Sequence, residues 1–234
     1  MLKDKQILLL GGSVGIGLAL AEQLVEQGAQ VSLVSRSKAK LDAAQASLGP
    51  QVKTFVLDAT DEAAVARFFK ECPPVDHLVA TLRPNQAPAD FFTDSTDQWK
   101  QDFEGKFWAQ VHWVKQGLSK LNADGSIVLS AGIAANRGYP GFASMGAING
   151  AVQSLVLSLA RELSPIRINA VSPGFIQRQA EDYERYEQVK QLGARLVLGR
   201  LGSQEEAASG YLFLLQNRYV TGTTLVIDGG ELCT

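Results

Sequence analysis

The chain has 234 residues, 46% hydrophobic and 20% charged, and its 22 Lys and Arg against 24 Asp and Glu leave a formal charge of −2, as in an ordinary globular domain. With neither a basic excess nor a basic run, a nucleic-acid or anionic-membrane partner is disfavoured. Two cysteines, Cys72 and Cys233, are too few for a disulfide framework and lack metal-ligand spacing, so no metal is expected and both read as incidental thiols of a reducing compartment.

The first apolar run, Gln6–Leu10, reads as a buried strand that enters glycines at once. It is too short for a signal peptide or a membrane span, and a cytoplasmic location is the expectation. Further strands are expected at Val31–Ser35, Val52–Leu57, His77–Leu82, Ser126–Ser130, Ile166–Val171 and Thr224–Ile227. Helical periodicity fills the gaps at Gly15–Gln27, Lys38–Leu48, Asp61–Glu71, Asp97–Leu121, Gly141–Leu163 and Glu205–Gln216. Alternation of this kind predicts one α/β domain over residues 1–234, a Rossmann-type doubly wound parallel sheet of about seven strands with helices on both faces. Ser203 with Glu206 has capping-box spacing, Ser95 with Gln98 is similar, and Gly28 sits where the first helix should end in a left-handed turn. Residues 177–202 begin polar and hold no strand-like run, so they are expected to form a mobile substrate lid.

The glycines in LLLGGSVGIGLAL follow the first strand and open the first helix, the context in which a glycine pattern has meaning. Gly11, Gly15 and Gly17 allow a tight turn and a close approach of pyrophosphate to the backbone, with Ser13 and Ile16 in the same turn. At the end of the second strand a carboxylate would take a ribose 2′-hydroxyl, whereas Arg suits a 2′-phosphate. Here Arg36 stands between Ser35 and Ser37, and its guanidinium can grip a phosphate bidentately, so NADP(H) is the expected cofactor.

These residues resemble the short-chain dehydrogenase/reductase family over nearly the whole chain. LLLGGSVGIG is similar to the family's TGxxxGIG, with Leu10 in place of threonine. VLDATD resembles its adenine-contacting segment, which implies Asp58 and Ala59 as contacts. IRINAVSPG and the residues after it resemble the strand and loop that meet the nicotinamide, which implies Pro173, Gly174 and Ile176. Thr81 follows the fourth strand, where Ala80, Thr81, Leu82 and Arg83 replace the family's NNAG, and the last 35 or so residues resemble the family's closing helix and strand.

The family's catalytic positions are filled differently. The tyrosine slot falls on Met145, the lysine slot on Asn149, the serine slot on Gly132 and the helical asparagine slot on Lys106. Met145 has no proton to give and Gly132 no hydroxyl, while Asn149 can still hydrogen-bond a nicotinamide ribose. Lys106 is the sharpest replacement, because a buried ammonium loses pKa and can donate a proton near neutrality. A surface pair with Asp102 at i, i+4 explains Lys106 equally well. Weaker stand-ins are Tyr139, Ser130 and Ser144; Arg83 reads as a loop cation, and His77 and His112 as structural. Two functions are thus expected from the resemblance and the residues together. One is an NADP(H)-dependent oxidoreductase acting on a small carbonyl or alcohol; the other is a catalytically silent NADP(H)-binding sensor or partner subunit. The resemblance also implies a homodimer or homotetramer, paired through the helices at Asp97–Leu121 and Gly141–Leu163.

Overall fold

In the computed structural model, which describes residues 2–83, 89–177, 191 and 193–233, seven parallel strands form one sheet in the order β3-β2-β1-β4-β5-β6-β7. The strands are β1 (Gln6–Leu10), β2 (Gln30–Ser35), β3 (Lys53–Val56), β4 (Val75–Ala80), β5 (Leu121–Ser130), β6 (Arg167–Pro173) and β7 (Thr224–Ile227). The helices are α1 (Gly15–Glu26), α2 (Lys38–Leu48), α3 (Glu62–Glu71), α4 (Thr96–Phe103), α5 (Ala109–Gly117), α6 (Ala143–Glu162) and α7 (Gln204–Gln216). Successive strand residues point to opposite faces, and both faces are covered, so β1 is apolar at every buried position. Ile7 and Leu9 join Leu20 and Leu24 of α1 and Tyr211 and Leu214 of α7 on one face. Leu8 and Leu10 join Phe69 of α3, Trp113 of α5 and Val152 and Val156 of α6 on the other. The strand order reverses between β1 and β4, the switch point beyond whose carboxyl ends ligands bind in open α/β sheets.

The expected caps are present: Ser203 and Glu206 form a reciprocal capping box on α7, Ser95 Oγ accepts from the Gln98 amide at 3.1 Å, and Gly28 follows α1 at φ +77°. The single helix expected over 97–121 is instead four segments. A π-helical turn, Glu104–Trp108, separates α4 from α5, and Leu118–Lys120 closes the run as a 3-10 turn. Strand β5 starts earlier than expected because it runs from Leu121 through Asn122, Ala123 and Asp124, exposed positions that carry no strand signal. The expected lid at 177–202 lies largely outside the described residues; where its two ends meet, the Gln177 amide donates to the Gly202 carbonyl at 2.8 Å. Among the described helices, α6 is long and apolar enough to cross a membrane by length and composition. Its Ile148, Val152 and Val156 are nevertheless buried within the fold.

His77 and His112 are structural, as expected. His77 is 6% exposed, its Nδ1 lies 2.8 Å from Ser126 Oγ, and burial pushes its pKa down to about 4. Between pH 6.5 and about 4 the unfolded chain therefore binds a proton that the folded chain does not, and stability falls as the pH drops through this window. The loss attributable to His77 is expected to reach roughly 3 kcal/mol at its limit. Urea unfolding at pH 7 and near pH 4.5 checks it: His77→Gln should show the smaller drop, and equal drops would show that the imidazole is not the group responsible.

Candidate active site

The glycine turn between β1 and α1 is closed on one side and open on the other. A Cβ on Gly17 would run into the Gly11 carbonyl oxygen and lie 2.5 Å from Thr81 Oγ1, and one on Gly11 would lie 2.9 Å from the same hydroxyl. Thr81 is itself fixed, its amide donating to the Leu10 carbonyl at 2.9 Å. Gly15, at φ +60°, has open space where a Cβ would go. The N-cap residue Val14 supplies no side-chain hydrogen bond and the first turn of α1 holds no acidic residue, so its amide N–H groups are free to meet an anion. The donor set and the open side suit a pyrophosphate. Gly17→Ala is expected to cost about 1–3 kcal/mol through overpacking against Thr81. A urea midpoint unchanged from wild type would contradict that packing.

Beside this turn, Ser13 Oγ donates to Ser35 Oγ at 3.0 Å, tying the loop to the end of β2. Arg36 follows, exposed, whereas Lys38 is committed to Asp42 at 2.8 Å and Ser37 caps α2 through the Lys40 amide. Asp58 spends one oxygen on Thr60, from the amide at 3.0 Å and the hydroxyl at 2.8 Å, and the Ala59 carbonyl is 3.0 Å from His112 Nδ1. Gly174, after Pro173 at the end of β6, leaves no room for a side chain: a Cβ there would lie 2.7 Å from Asp228 Cα. Ile176 then bridges to Gly202.

Lys106 lies in the π turn and is 3% exposed. Its Nζ donates to the Ala131 carbonyl at 2.8 Å and to Asn149 Oδ1 at 2.7 Å. The surface pair with Asp102 does not form. Asp102 is itself buried and accepts from Ser144 Oγ at 3.0 Å. Burial pushes the Lys106 ammonium down to about 7, since among the described residues no anion holds the charge. Gly132 abuts Asn149, where a Cβ would approach Nδ2 to 2.7 Å, and Met145 is partly buried one turn earlier on α6. Lys106, Gly132 and Asn149 therefore form one cluster at the end of β5.

The other stand-ins are committed elsewhere. The Tyr139 hydroxyl donates to Glu231 at 2.9 Å, and burial followed by that carboxylate raises its pKa, which makes it a poorer acid. Ser130 Oγ donates to the Leu82 carbonyl at 3.0 Å, and Ser144 serves Asp102. Arg83 is an exposed loop residue, as expected. Two contributors escaped the sequence reading. Glu231 lies 92 positions from Tyr139, beyond any local pattern. Gln110 carried a signal, a polar residue four positions after Lys106 in an otherwise apolar stretch, and its amide bonds both backbone groups of Ser130.

A family model described as enoyl-(acyl carrier protein) reductase matches residues 11–231. The 3-oxoacyl-(acyl-carrier-protein) reductase of Mus musculus is 30% identical, the match covering 97% of this chain and 98% of that protein. An NADPH-bound short-chain oxidoreductase from Pseudomonas aeruginosa PAO1, described as containing an atypical catalytic center, is 30% identical at a TM-score of 0.88 over 98% of both chains. A small-chain dehydrogenase in complex with NADPH is 32% identical at a TM-score of 0.81, over 99% of this chain and 100% of that one. The chain belongs to the short-chain dehydrogenase/reductase family of oxidoreductases.

Proposed function

We propose that the protein is an NADP(H)-dependent oxidoreductase acting on a small carbonyl or alcohol, with Lys106 carrying the proton that a tyrosine would otherwise supply. The observation that carries this reading is the hydrogen bonding of Nζ. Its two acceptors, Ala131 O and Asn149 Oδ1, take two of the three N–H groups of an ammonium. A neutral amine keeps two N–H groups, one for each acceptor, so the third proton can leave without breaking either bond. A pKa near 7 suits that exchange, because a general acid works best near the operating pH.

Bound NADPH supplies the hydride to the substrate carbon. In this reading Gly11, Ser13, Gly15, Ile16 and Gly17 hold the pyrophosphate on the α1 terminus, and Ser35, Arg36 and Ser37 hold the 2′-phosphate. Asp58, with one oxygen uncommitted, and Ala59 meet the adenine. Thr81, Asn149, Pro173, Gly174 and Ile176 flank the nicotinamide end. Lys106 then delivers its third proton to the substrate oxygen, and Gly132 and Met145 add shape but no proton. The NADPH complexes of two neighbours support the phosphorylated dinucleotide. A homodimer or homotetramer fits the outward exposure of Trp108 at 44% and Leu157 at 62%, and gel filtration checks it. Steady-state NADPH oxidation across aldehydes, ketones and quinones tests the activity. Turnover on one of these classes is expected; tight NADPH binding with no turnover on any would leave a silent binding protein.

A further inference from the structure

Asp102, Lys106 and Gln110 recur every four residues, and all three are buried, Gln110 completely. Asp102 meets Ser144 in the first turn of α6, Lys106 meets Asn149 further along α6, and Gln110 meets the end of β5. The last of these contacts has two halves: Gln110 Oε1 accepts from the Ser130 N–H at 2.7 Å, and Nε2 donates to the Ser130 carbonyl at 3.2 Å. A primary amide thus presents to Ser130 the same donor and acceptor that a neighbouring peptide would.

The sheet supplies the reason. Strand β4 pairs with β5 as far as Val79 opposite Val128 and then leaves toward β1, where the Thr81 amide donates to the Leu10 carbonyl. On its other side β5 remains paired, the Ala131 amide donating to the Val171 carbonyl of β6 at 2.8 Å. Past Val128 the β5 backbone has no strand partner on the β4 side among the described residues, where only the Ser130 hydroxyl reaches back to the Leu82 carbonyl, and a buried N–H and C=O left without partners there would each cost stability. Gln110 supplies those partners. With its carbonyl held by Gln110 and its N–H held by Val171, the Ser130–Ala131 peptide plane is fixed at both ends, and the Ala131 carbonyl, one of the two acceptors of Lys106, follows directly from it.

We infer that Gln110 is a positioning residue: it takes the place of the departed strand and holds the Ser130–Ala131 peptide so that the Ala131 carbonyl meets Lys106 Nζ. Its importance for turnover rests on the reading of Lys106 as the proton-carrying group, but its action on Lys106 can be read without turnover. Gln110→Met keeps the volume and removes both amide groups. Losing one of its two acceptors in a dry site makes the ammonium harder to keep, because among the described residues no carboxylate touches Nζ and Asp102, one turn earlier, is bound to Ser144.

The test is a pH titration of the full chain with 13C-labelled lysine side chains, followed by NMR with and without NADPH and with the Lys106 signal assigned by its loss in Lys106→Met. In Gln110→Met the Lys106 midpoint is expected to fall by roughly half a pH unit, about threefold in proton affinity, and the Ser130 amide to exchange faster. Gln110→Asn, which keeps the amide but withdraws it by one methylene, should shift the midpoint in the same direction and serves if the methionine variant does not fold. A midpoint unchanged or raised in a folded variant overturns the inference and reduces Gln110 to a stabilising residue. Failure of the wild-type protein to reduce any carbonyl would remove the proposed activity yet leave this titration readable.

Discussion

Lys106→Met is expected to lower kcat for carbonyl reduction by about 10²–10⁴-fold, the range supplied by a positioned general acid, with little change in the NADPH dissociation constant. Methionine fills the volume of the lysine stem and brings no proton. The variant should still fold, because removing a buried cation that no anion among the described residues compensates offsets the cost of leaving Ala131 O and Asn149 Oδ1 without their donor. Stopped-flow mixing separates the two effects, with cofactor binding read by fluorescence and turnover by loss of NADPH absorbance. A variant that retained wild-type kcat would remove Lys106 from the chemistry. A variant that lost NADPH affinity in parallel would make it a cofactor-binding residue instead.

The second large effect is at Arg36. Charge-assisted hydrogen bonds contribute about 1.5–3 kcal/mol, so removing the guanidinium should weaken NADPH binding by roughly 10–100-fold. Arg36→Asp should exceed that range, because it also sets a carboxylate against the 2′-phosphate, while the same carboxylate suits an unphosphorylated ribose and NADH binding should hold or tighten. Lys38, already paired with Asp42, is poorly placed to compensate. Calorimetry with both dinucleotides gives the ratio. Parallel weakening of NADPH and NADH would show that Arg36 acts on the fold of the loop and not on the phosphate.

The architecture was legible because buried parallel strands have a simple signature. Leu8, Leu9 and Leu10 are apolar in succession because helices cover both faces, and Gly11, Gly15 and Gly17 announce the turn through a backbone requirement that the sequence states directly. The first half of β5 was not legible, since Asn122, Ala123 and Asp124 are exposed and leave no periodicity. The π turn was hidden for a different reason: it is one short turn, Glu104–Trp108, inside a run that reads as a single regular helix. Local spacing could not decide between a surface ion pair and a buried donor for Lys106, because Asp102 stood at the right distance for the first. The packing of α6 decided it by giving Asp102 to Ser144 and Asn149 to Lys106. Tyr139 lost its candidacy in the same way, to a carboxylate from the far end of the chain.

The proton-carrying role of Lys106 is best examined through the pH dependence of NADPH-driven turnover under saturating substrate. The acid form of Lys106 predominates below its pKa of about 7 and is depleted above it. A single titrating acid therefore predicts a plateau on the acidic side and a tenfold fall in kcat per pH unit on the alkaline side, with that alkaline break absent from Lys106→Met. A wild-type profile that stays level from about pH 6 to 9, with chemistry limiting the rate, would contradict a proton delivered by Lys106.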